Sequence, residues 1–291
     1  MLARMLIRVI DAQGAWTRPL GDLAHRFLHW LFHAMPAVRD LLNGRWLGHP
    51  LHAVLTDVPI GILFLVIVLD LLHLPDAAAW ALAVGILAML GAALAGFADY
   101  ADTDGRARER ATLHSTLMIV ALLVYIVSLV LRLGPTGATE SAGGFWVSII
   151  GFLVLSAGAY VGGDVVYVLG NMVSRHAFRG AGAKWIKLEP AEVEGGQIPQ
   201  GRPIKAKLGI NQLVLVRQGE RILALHDVCA HAGGPLNEGR LVDGEIECPW
   251  HYSRYRMTNG NVTQGPSVYD QPAYEVRAVE GGGWEARRQQ A

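Results

Sequence analysis

Long apolar runs alternate with short polar links through the middle of the chain. Four of these runs are each long enough to cross a bilayer, which takes about 20 apolar residues. They lie near residues 50–74, 77–97, 112–133 and 145–169. The last run is rich in glycine, which favours close packing of helices in lipid. The pattern predicts an α-helical membrane bundle with four transmembrane helices over residues 49–173.

The first 48 residues follow a different pattern. Apolar residues recur at helical spacing through "LAHRFLHWLFHAM", where His25, His29 and His33 lie four residues apart on one face. No sustained apolar core or small-residue cleavage site follows the first residues, so a cleavable signal peptide is not indicated. An amphipathic helix at the membrane surface accounts for this spacing, and a metal-binding histidine face is the alternative.

The composition changes again near residue 184. Short aliphatic and β-branched runs, "NQLVLVRQG" and "RILALHDV", surround "QGER", which indicates a hairpin. Further on, "YEVRAVEGGGWEAR" predicts a closing pair of strands. Residues 184–291 are therefore predicted to form an all-β domain, which makes the chain a multi-domain protein.

Composition and net charge narrow the possible partners. The chain is 52% hydrophobic and 17% charged, whereas soluble domains carry about 25% charged residues. The lipid bilayer is therefore an expected partner. The formal net charge is zero, so the charge balance does not indicate a nucleic-acid partner. A homo-oligomer stays open.

Basic residues are distributed unevenly between the links. The links after the first and third apolar runs are nearly free of them, and Arg132 is the one arginine expected on that side. The other side carries Arg39, Arg45, Arg106, Arg108, Arg110, Arg175 and Arg179. The positive-inside rule then places both termini and the β domain in the cytoplasm, at the inner membrane of a bacterium.

The chain has two cysteines, and each is followed closely by a histidine. Cys229 and His231 lie in "DVCAHAGGPL", and Cys248 and His251 lie in "ECPWHYSRYRM". These residues could be buried free cysteines with incidental histidines. They could form a tetrahedral zinc site, or they could hold a two-iron cluster in which one iron takes both cysteines and the other both histidines.

The segment from about Lys184 to Arg287 resembles the Rieske [2Fe-2S] domain family, through these two motifs and through "GPSVYDQPAYEVR". The resemblance implies a small antiparallel β domain with the cluster at its tip. It implies that Cys229 and Cys248 ligate the inner iron, and that His231 and His251 ligate the outer, solvent-facing iron. Cytochrome bc-type members carry two further cysteines, which this chain lacks, so it is similar to the ferredoxin-like branch of reducing compartments.

The second motif departs from the family at one position and matches it at two others. Tyr252 stands where family members usually have glycine, which permits a tight turn without a Cβ penalty. By resemblance, the hydroxyl of Ser253 bonds a bridging sulfide and that of Tyr255 bonds a cysteine sulfur. Such hydrogen bonds raise the reduction potential. The alternative is that both side chains only pack the loop.

The membrane half begins with "LGHPLHAVLTDVPIG", which resembles an uncharacterised family of bacterial four-helix membrane domains. His52 and His114 lie just inside the predicted cytoplasmic ends of the first and third spans. Ionisable groups at such depth usually face a site or one another. The two histidines could ligate haem b, bind a quinone or relay protons, with Asp57 or Asp164 as partners that orient the imidazoles. They could also only join helices.

These features together predict a membrane-bound Rieske protein that carries single electrons between a membrane redox site and a cytoplasmic partner, as a component of an oxidoreductase system. A redox sensor without catalytic flux is the alternative. A Rieske oxygenase is not expected, because the segment after Cys248 is too short for the mononuclear iron domain of such enzymes.

Overall fold

The structure is a computed structural model that describes residues 2–133, 142–177 and 184–289. It divides into two compact units, residues 1–35 with 50–171, and residues 36–49 with 172–291. Two parts of the chain that bear on the predicted orientation in the membrane lie outside the described residues. They are the link at residues 134–141 and Arg179.

The first unit is helical, and four of its helices are long and apolar enough to cross a membrane. The predicted fold class, a four-helix membrane bundle joined to an all-β domain, is confirmed. In chain order the helices are α1 (Leu2–Asp11), α2 (Gly14–His33), α3 (Pro36–Asn43, in the second unit), α4 (Leu51–Leu71), α5 (Pro75–Tyr100), α6 (Gly105–Arg132) and α7 (Ala142–Gly163), which continues into a π-helical turn (Asp164–Val168).

One membrane helix is longer than the apolar run that predicted it. Helix α6 begins at Gly105, well before the apolar run near residue 112. The intervening "GRARERA" is polar, but arginine, glutamate and alanine all favour helix. Hydropathy therefore underestimates the length of this helix, because it measures the apolar part alone.

Glycines bring α6 and α7 close together. A Cβ atom added at Gly151 would lie 3.0 Å from the ring of Tyr125, and one added at Gly158 would lie 2.8 Å from the Met118 side chain. The predicted role of the glycine-rich run, close helix packing, follows from these contacts.

Two buried arginines of this unit are paired with aspartates. Arg132 is 1% exposed, and its two terminal nitrogens donate to the two carboxylate oxygens of Asp70 at 2.7 and 2.6 Å. The single arginine expected on that side of the bundle is thus compensated internally by α4. Near the start of α6, the buried Arg110 contacts one oxygen of the buried Asp164 and one of the more exposed Asp11.

The second unit is built from two sheets. Six strands close into a barrel in the order β1-β10-β9-β4-β3-β2, and four form a separate sheet in the order β5-β6-β7-β8. The strands are β1 (Ile186–Pro190), β2 (Ile204–Leu208), β3 (Asn211–Gln218), β4 (Arg221–His226), β5 (Arg240–Val242), β6 (Glu245–Glu247), β7 (Arg254–Arg256), β8 (Val262–Gln264), β9 (Ala273–Ala278) and β10 (Trp284–Arg288).

Both strand pairs read from the sequence are present in the barrel. β3 and β4 form the antiparallel hairpin, and β9 pairs with β10. Residues 36–49, which the sequence pattern grouped with the N-terminal segment, pack in this second unit instead. They contain α3 and a 3-10 turn at Arg45–Leu47.

Candidate metal centre

The two cysteine loops leave different sheets. Cys229 follows β4 of the barrel, and its loop is closed by a hydrogen bond from the Cys229 amide to Gly234 O at 2.9 Å. Cys248 follows β6 of the four-stranded sheet, and the Cys248 amide donates to Ser253 O at 2.9 Å. Each loop is therefore a closed turn that holds its cysteine and histidine on a fixed backbone.

The four candidate ligands meet as a cysteine pair and a histidine pair. Both thiols are buried and hydrogen-bond to one another; burial raises the pKa of Cys229, whereas the hydrogen bond from Cys229 lowers the pKa of Cys248. The imidazoles of His231 and His251 lie with ring centroids 5.0 Å apart and ring planes nearly perpendicular. Sulfur therefore lies beside sulfur and imidazole beside imidazole.

This arrangement fits a two-iron cluster. Nδ1 of His231 is buried and has no hydrogen-bond partner among the described residues, as expected for a nitrogen that binds a metal. A cluster with two cysteines on one iron and two histidines on the other matches the separation of the four ligands into a thiol pair and an imidazole pair.

The histidines are less open than the resemblance implied. His231 and His251 are 5% and 8% exposed. The segment after the membrane helices covers the first loop: the Arg175 amide donates to Ala230 O at 3.3 Å, and Nε2 of His176 lies 2.8 Å from Val228 O. The expected solvent-facing pair is therefore largely covered by the chain itself.

Gln271, which lies just before β9, fixes the first loop. Its Oε1 accepts from the Ala230 amide at 2.9 Å, and its Nε2 donates to Val228 O at 2.7 Å. It is buried. Sequence reasoning did not single out this residue. The only signal was its place within "GPSVYDQPAYEVR", since nothing in its local pattern indicates a partner 41 residues away.

The two hydroxyls of the second loop lie within the site. The Tyr255 hydroxyl is 3.1 Å from Sγ of Cys229, which is within hydrogen-bond reach of a sulfur. Ser253 is fully buried, and its Oγ accepts from the Ser267 amide at 3.0 Å. Because that oxygen acts as an acceptor there, its own hydrogen remains for a second acceptor.

Tyr252 has the backbone conformation that its family position requires. Its φ is +65°, in the left-handed region that favours glycine. The turn is the one a glycine would make, and tyrosine makes it at a cost of about 1–2 kcal/mol.

The two membrane histidines have matching surroundings. Nδ1 of His52 on α4 lies 2.9 Å from Ala92 O on α5, and Nδ1 of His114 on α6 lies 2.8 Å from Gly158 O on α7. One turn beyond each carbonyl is a glycine, and a Cβ atom added at Gly96 or Gly162 would lie 2.9 Å from the imidazole. The helical hairpins α4–α5 and α6–α7 thus repeat one arrangement, which the sequence reading missed because its parts are far apart in the chain.

The imidazoles of His52 and His114 lie near each other, with ring centroids 6.2 Å apart at an interplanar angle of 74°. The expected carboxylate partners lie elsewhere. Asp164 pairs with Arg110, and Asp57 is exposed at the surface of its helix. Backbone carbonyls of α5 and α7 take the orienting role predicted for these aspartates.

Comparisons with known proteins bear on both halves of the chain. A model of the Rieske [2Fe-2S] domain matches residues 190–275, and a model of a family described as predicted membrane protein (DUF2231) matches residues 48–175. The chain is 31% identical over 75 residues to ferredoxin CarAc of Metapseudomonas resinovorans, a match that covers 26% of this chain and 70% of the relative.

Two further ferredoxins are similar. The anthranilate 1,2-dioxygenase ferredoxin subunit of Burkholderia cepacia is 28% identical over 85 residues, which covers 29% of this chain and 79% of the relative. Among solved structures, the ferredoxin of carbazole 1,9a-dioxygenase from Nocardioides aromaticivorans IC177 aligns with 28% identity and a TM-score of 0.31, over 35% of this chain and 99% of that one.

Removing either hydroxyl should lower the midpoint potential of the bound cluster. Tyr255→Phe removes the hydroxyl that contacts Sγ of Cys229, and Ser253→Ala removes a buried hydroxyl. If each hydroxyl donates one hydrogen bond to a cluster sulfur, a loss of about 1.4 kcal/mol corresponds to about 60 mV for one electron. A redox titration followed by EPR measures the shift. If the potential moves by only a few millivolts, both residues serve packing alone.

Tyr252→Gly should keep the cluster and leave thermal stability nearly unchanged. The relief of left-handed strain is offset by the greater conformational freedom of glycine in the unfolded chain. Tyr252→Val should be destabilised by about 1–2 kcal/mol, because a β-branched residue tolerates this conformation poorly. Loss of the visible absorbance on heating compares the two variants, and a valine variant as stable as the wild type would contradict the strain argument.

Proposed function

This chain belongs to the Rieske [2Fe-2S] domain family, and from that premise we propose that it carries single electrons between a redox site in its membrane unit and a partner protein. The observation that carries the proposal is the pairing of Cys229 with Cys248 in one buried cluster and of His231 with His251. A bound two-iron cluster supplies reversible one-electron chemistry. The chain's part is to hold the four ligands and to set the polarity around the sulfurs.

The partner is inferred from chemistry and from the relatives. One relative is named as the ferredoxin subunit of anthranilate 1,2-dioxygenase. By analogy, we propose a partner that exchanges single electrons with this chain, as part of an oxidoreductase system. A membrane-anchored carrier has its redox site and its cluster on one chain, so each is present at high effective concentration for the other.

For the membrane redox site we propose His52 and His114, with haem b or a quinone as the ligand. A metal-binding histidine usually donates a hydrogen bond from its other ring N–H to a carbonyl oxygen or a carboxylate, which fixes the tautomer. Nδ1 of both residues has such a carbonyl, which leaves both Nε2 atoms for a ligand. The ring centroids of the two imidazoles are 6.2 Å apart, so His52 and His114 would be the residues that hold the ligand.

The spectra of the full-length chain test both sites. Reduced protein should give the EPR signal of a two-iron centre with mixed Cys/His ligation, and His231→Ala or His251→Ala should remove or convert it. If the membrane site holds haem, His52→Ala and His114→Ala should each abolish a Soret band and leave the cluster signal intact. If it binds a quinone, spectra should stay unchanged while reduction of the cluster by a quinol analogue slows.

His33→Ala in α2 is the matched control and should change none of these signals. Stoichiometric zinc without iron, in protein made under anaerobic and iron-replete conditions, would contradict the cluster. Wild-type spectra and wild-type reduction in both membrane variants would mean that these histidines only join helices. A cluster that exchanges no electrons with quinols or partners would favour a redox sensor.

We further propose that the β domain lies in the cytoplasm at a bacterial inner membrane. The support is the excess of arginine on one side of the apolar helices, together with the internal compensation of Arg132 by Asp70. A reporter enzyme that works only in the cytoplasm should be active when it is fused after Ala291. A reporter that works only in the periplasm should be inactive at the same position. The opposite pattern would place the electron-transfer partner outside the cytoplasm.

A further inference from the structure

Residues 36–49 form a short segment that we call the N-terminal strap. It contains α3 and the 3-10 turn at Arg45–Leu47. In the chain it lies between α2 and the first membrane helix, yet it packs in the same compact unit as the β domain. The matched Rieske segment, residues 190–275, does not include it. The strap is therefore an addition to the domain from a distant part of the chain.

Two neighbouring strap residues bind a single glycine in the β domain. Nη2 of Arg39 donates to Gly265 O at 2.8 Å, and Oδ1 of Asp40 accepts from the Gly265 amide at 2.9 Å. A Cβ atom at Gly265 would lie 2.7 Å from that carboxylate oxygen, so glycine is needed for the approach. Arg45 in turn holds the other oxygen of Asp40 at 2.9 Å.

The loop that begins at Gly265 leads directly to the candidate cluster site. Two residues on, the amide of Ser267 donates to Oγ of Ser253 at 3.0 Å. The side chain of Gln264, on the other side of the glycine, donates to Tyr252 O at 3.4 Å. Both contacts reach the residues that follow the ligand His251. A change in the strap is therefore transmitted to the second ligand loop through one short stretch of backbone.

The strap also brings a buried positive charge to the site. Arg39 is 1% exposed, so its charge is poorly screened by solvent. It donates to Gly265, which stands two residues before Ser267, and the Ser267 amide in turn donates to Oγ of Ser253 beside the ligand loop. A cluster gains one negative charge on reduction, and net charge is one of the factors that set its potential.

We propose that the N-terminal strap is part of the cluster site, and that Arg39 is a positioning residue that fixes the Gly265–Ser267 loop and raises the reduction potential of the bound cluster. The inference rests on the proposed function only in that a two-iron cluster is bound. It assigns to residues outside the Rieske match a direct influence on the redox chemistry.

The test uses the full-length chain in detergent, with Arg39→Gln, Arg39→Lys and the control Arg221→Gln, an exposed arginine at the start of β4. Arg39→Gln removes the charge and should change the equilibrium constant for one-electron reduction by about tenfold, equal to a 59 mV lower midpoint potential. Arg39→Lys keeps the charge but lacks the planar donor group, so it should recover most of the potential while its EPR g-values shift. The control should match the wild type.

Each outcome decides the inference. An Arg39→Gln variant with the wild-type midpoint and g-values would overturn it. If that variant does not assemble a cluster, Arg39→Lys decides, since wild-type g-values there would show that the guanidinium geometry is not needed. A wild-type chain that holds zinc or no cluster would instead be a failure of the proposed function, and the two failures are therefore distinguishable.

Discussion

A polar group that leaves water is costly without a partner inside the protein, and buried polar contacts of this kind organise both units of this chain. In the membrane unit the cost of an unpaired charge is highest, and Arg132 is matched by both oxygens of Asp70. In the β unit the buried amide of Gln271 and the buried guanidinium of Arg39 serve backbone groups of the loops around the candidate cluster. The ligand loops keep their shape because these partners are in place.

The candidate cluster site depends on the packing of two sheets. Cys229 comes from the barrel and Cys248 from the four-stranded sheet, so their separation is fixed by the core between the sheets. Buried side chains of both sheets form one cluster there with the two cysteines, among them Leu225, Ile246 and Tyr255. Tyr255 is therefore at once a core residue and the neighbour of a ligand sulfur. A substitution of Tyr255 would therefore change both the packing of the core and the surroundings of the ligand sulfur.

In the membrane unit, the same contact between a histidine and the following helix occurs twice, and the two contacts together form a candidate site. In each of two helical hairpins, a histidine of one helix lies against a glycine of the next helix and reaches the carbonyl one turn earlier. Glycine is required because any side chain would occupy the volume of the ring. The repeat places the two imidazoles beside each other and gives both the same orientation constraint. A single pair of this kind would join helices, whereas two adjacent pairs provide two available nitrogens.

The sequence by itself determined the four membrane helices, the β domain and the four Cys and His residues. Apolar run length, strand alternation and motif spacing are local properties, and each is readable within a short window of the chain. The start of α6 was less predictable from hydropathy, because its first turns are polar and still helical. At Tyr252 the motif showed that family members have glycine at this position. Only the structure showed that tyrosine adopts the left-handed backbone conformation there.

The tertiary structure alone decided the contacts between residues far apart in the chain. Arg39 meets Gly265 across 226 positions, and His114 meets Gly158 across 44. No local pattern encodes such pairs, since an arginine on a short amphipathic helix looks the same whether it faces solvent or a distant loop. The aspartates expected beside the membrane histidines were assigned by proximity in depth, but Asp164 pairs with Arg110 instead. A buried carboxylate is stabilised more by a guanidinium than by a neutral imidazole, and only the packing of α6 against α7 brings that guanidinium within reach.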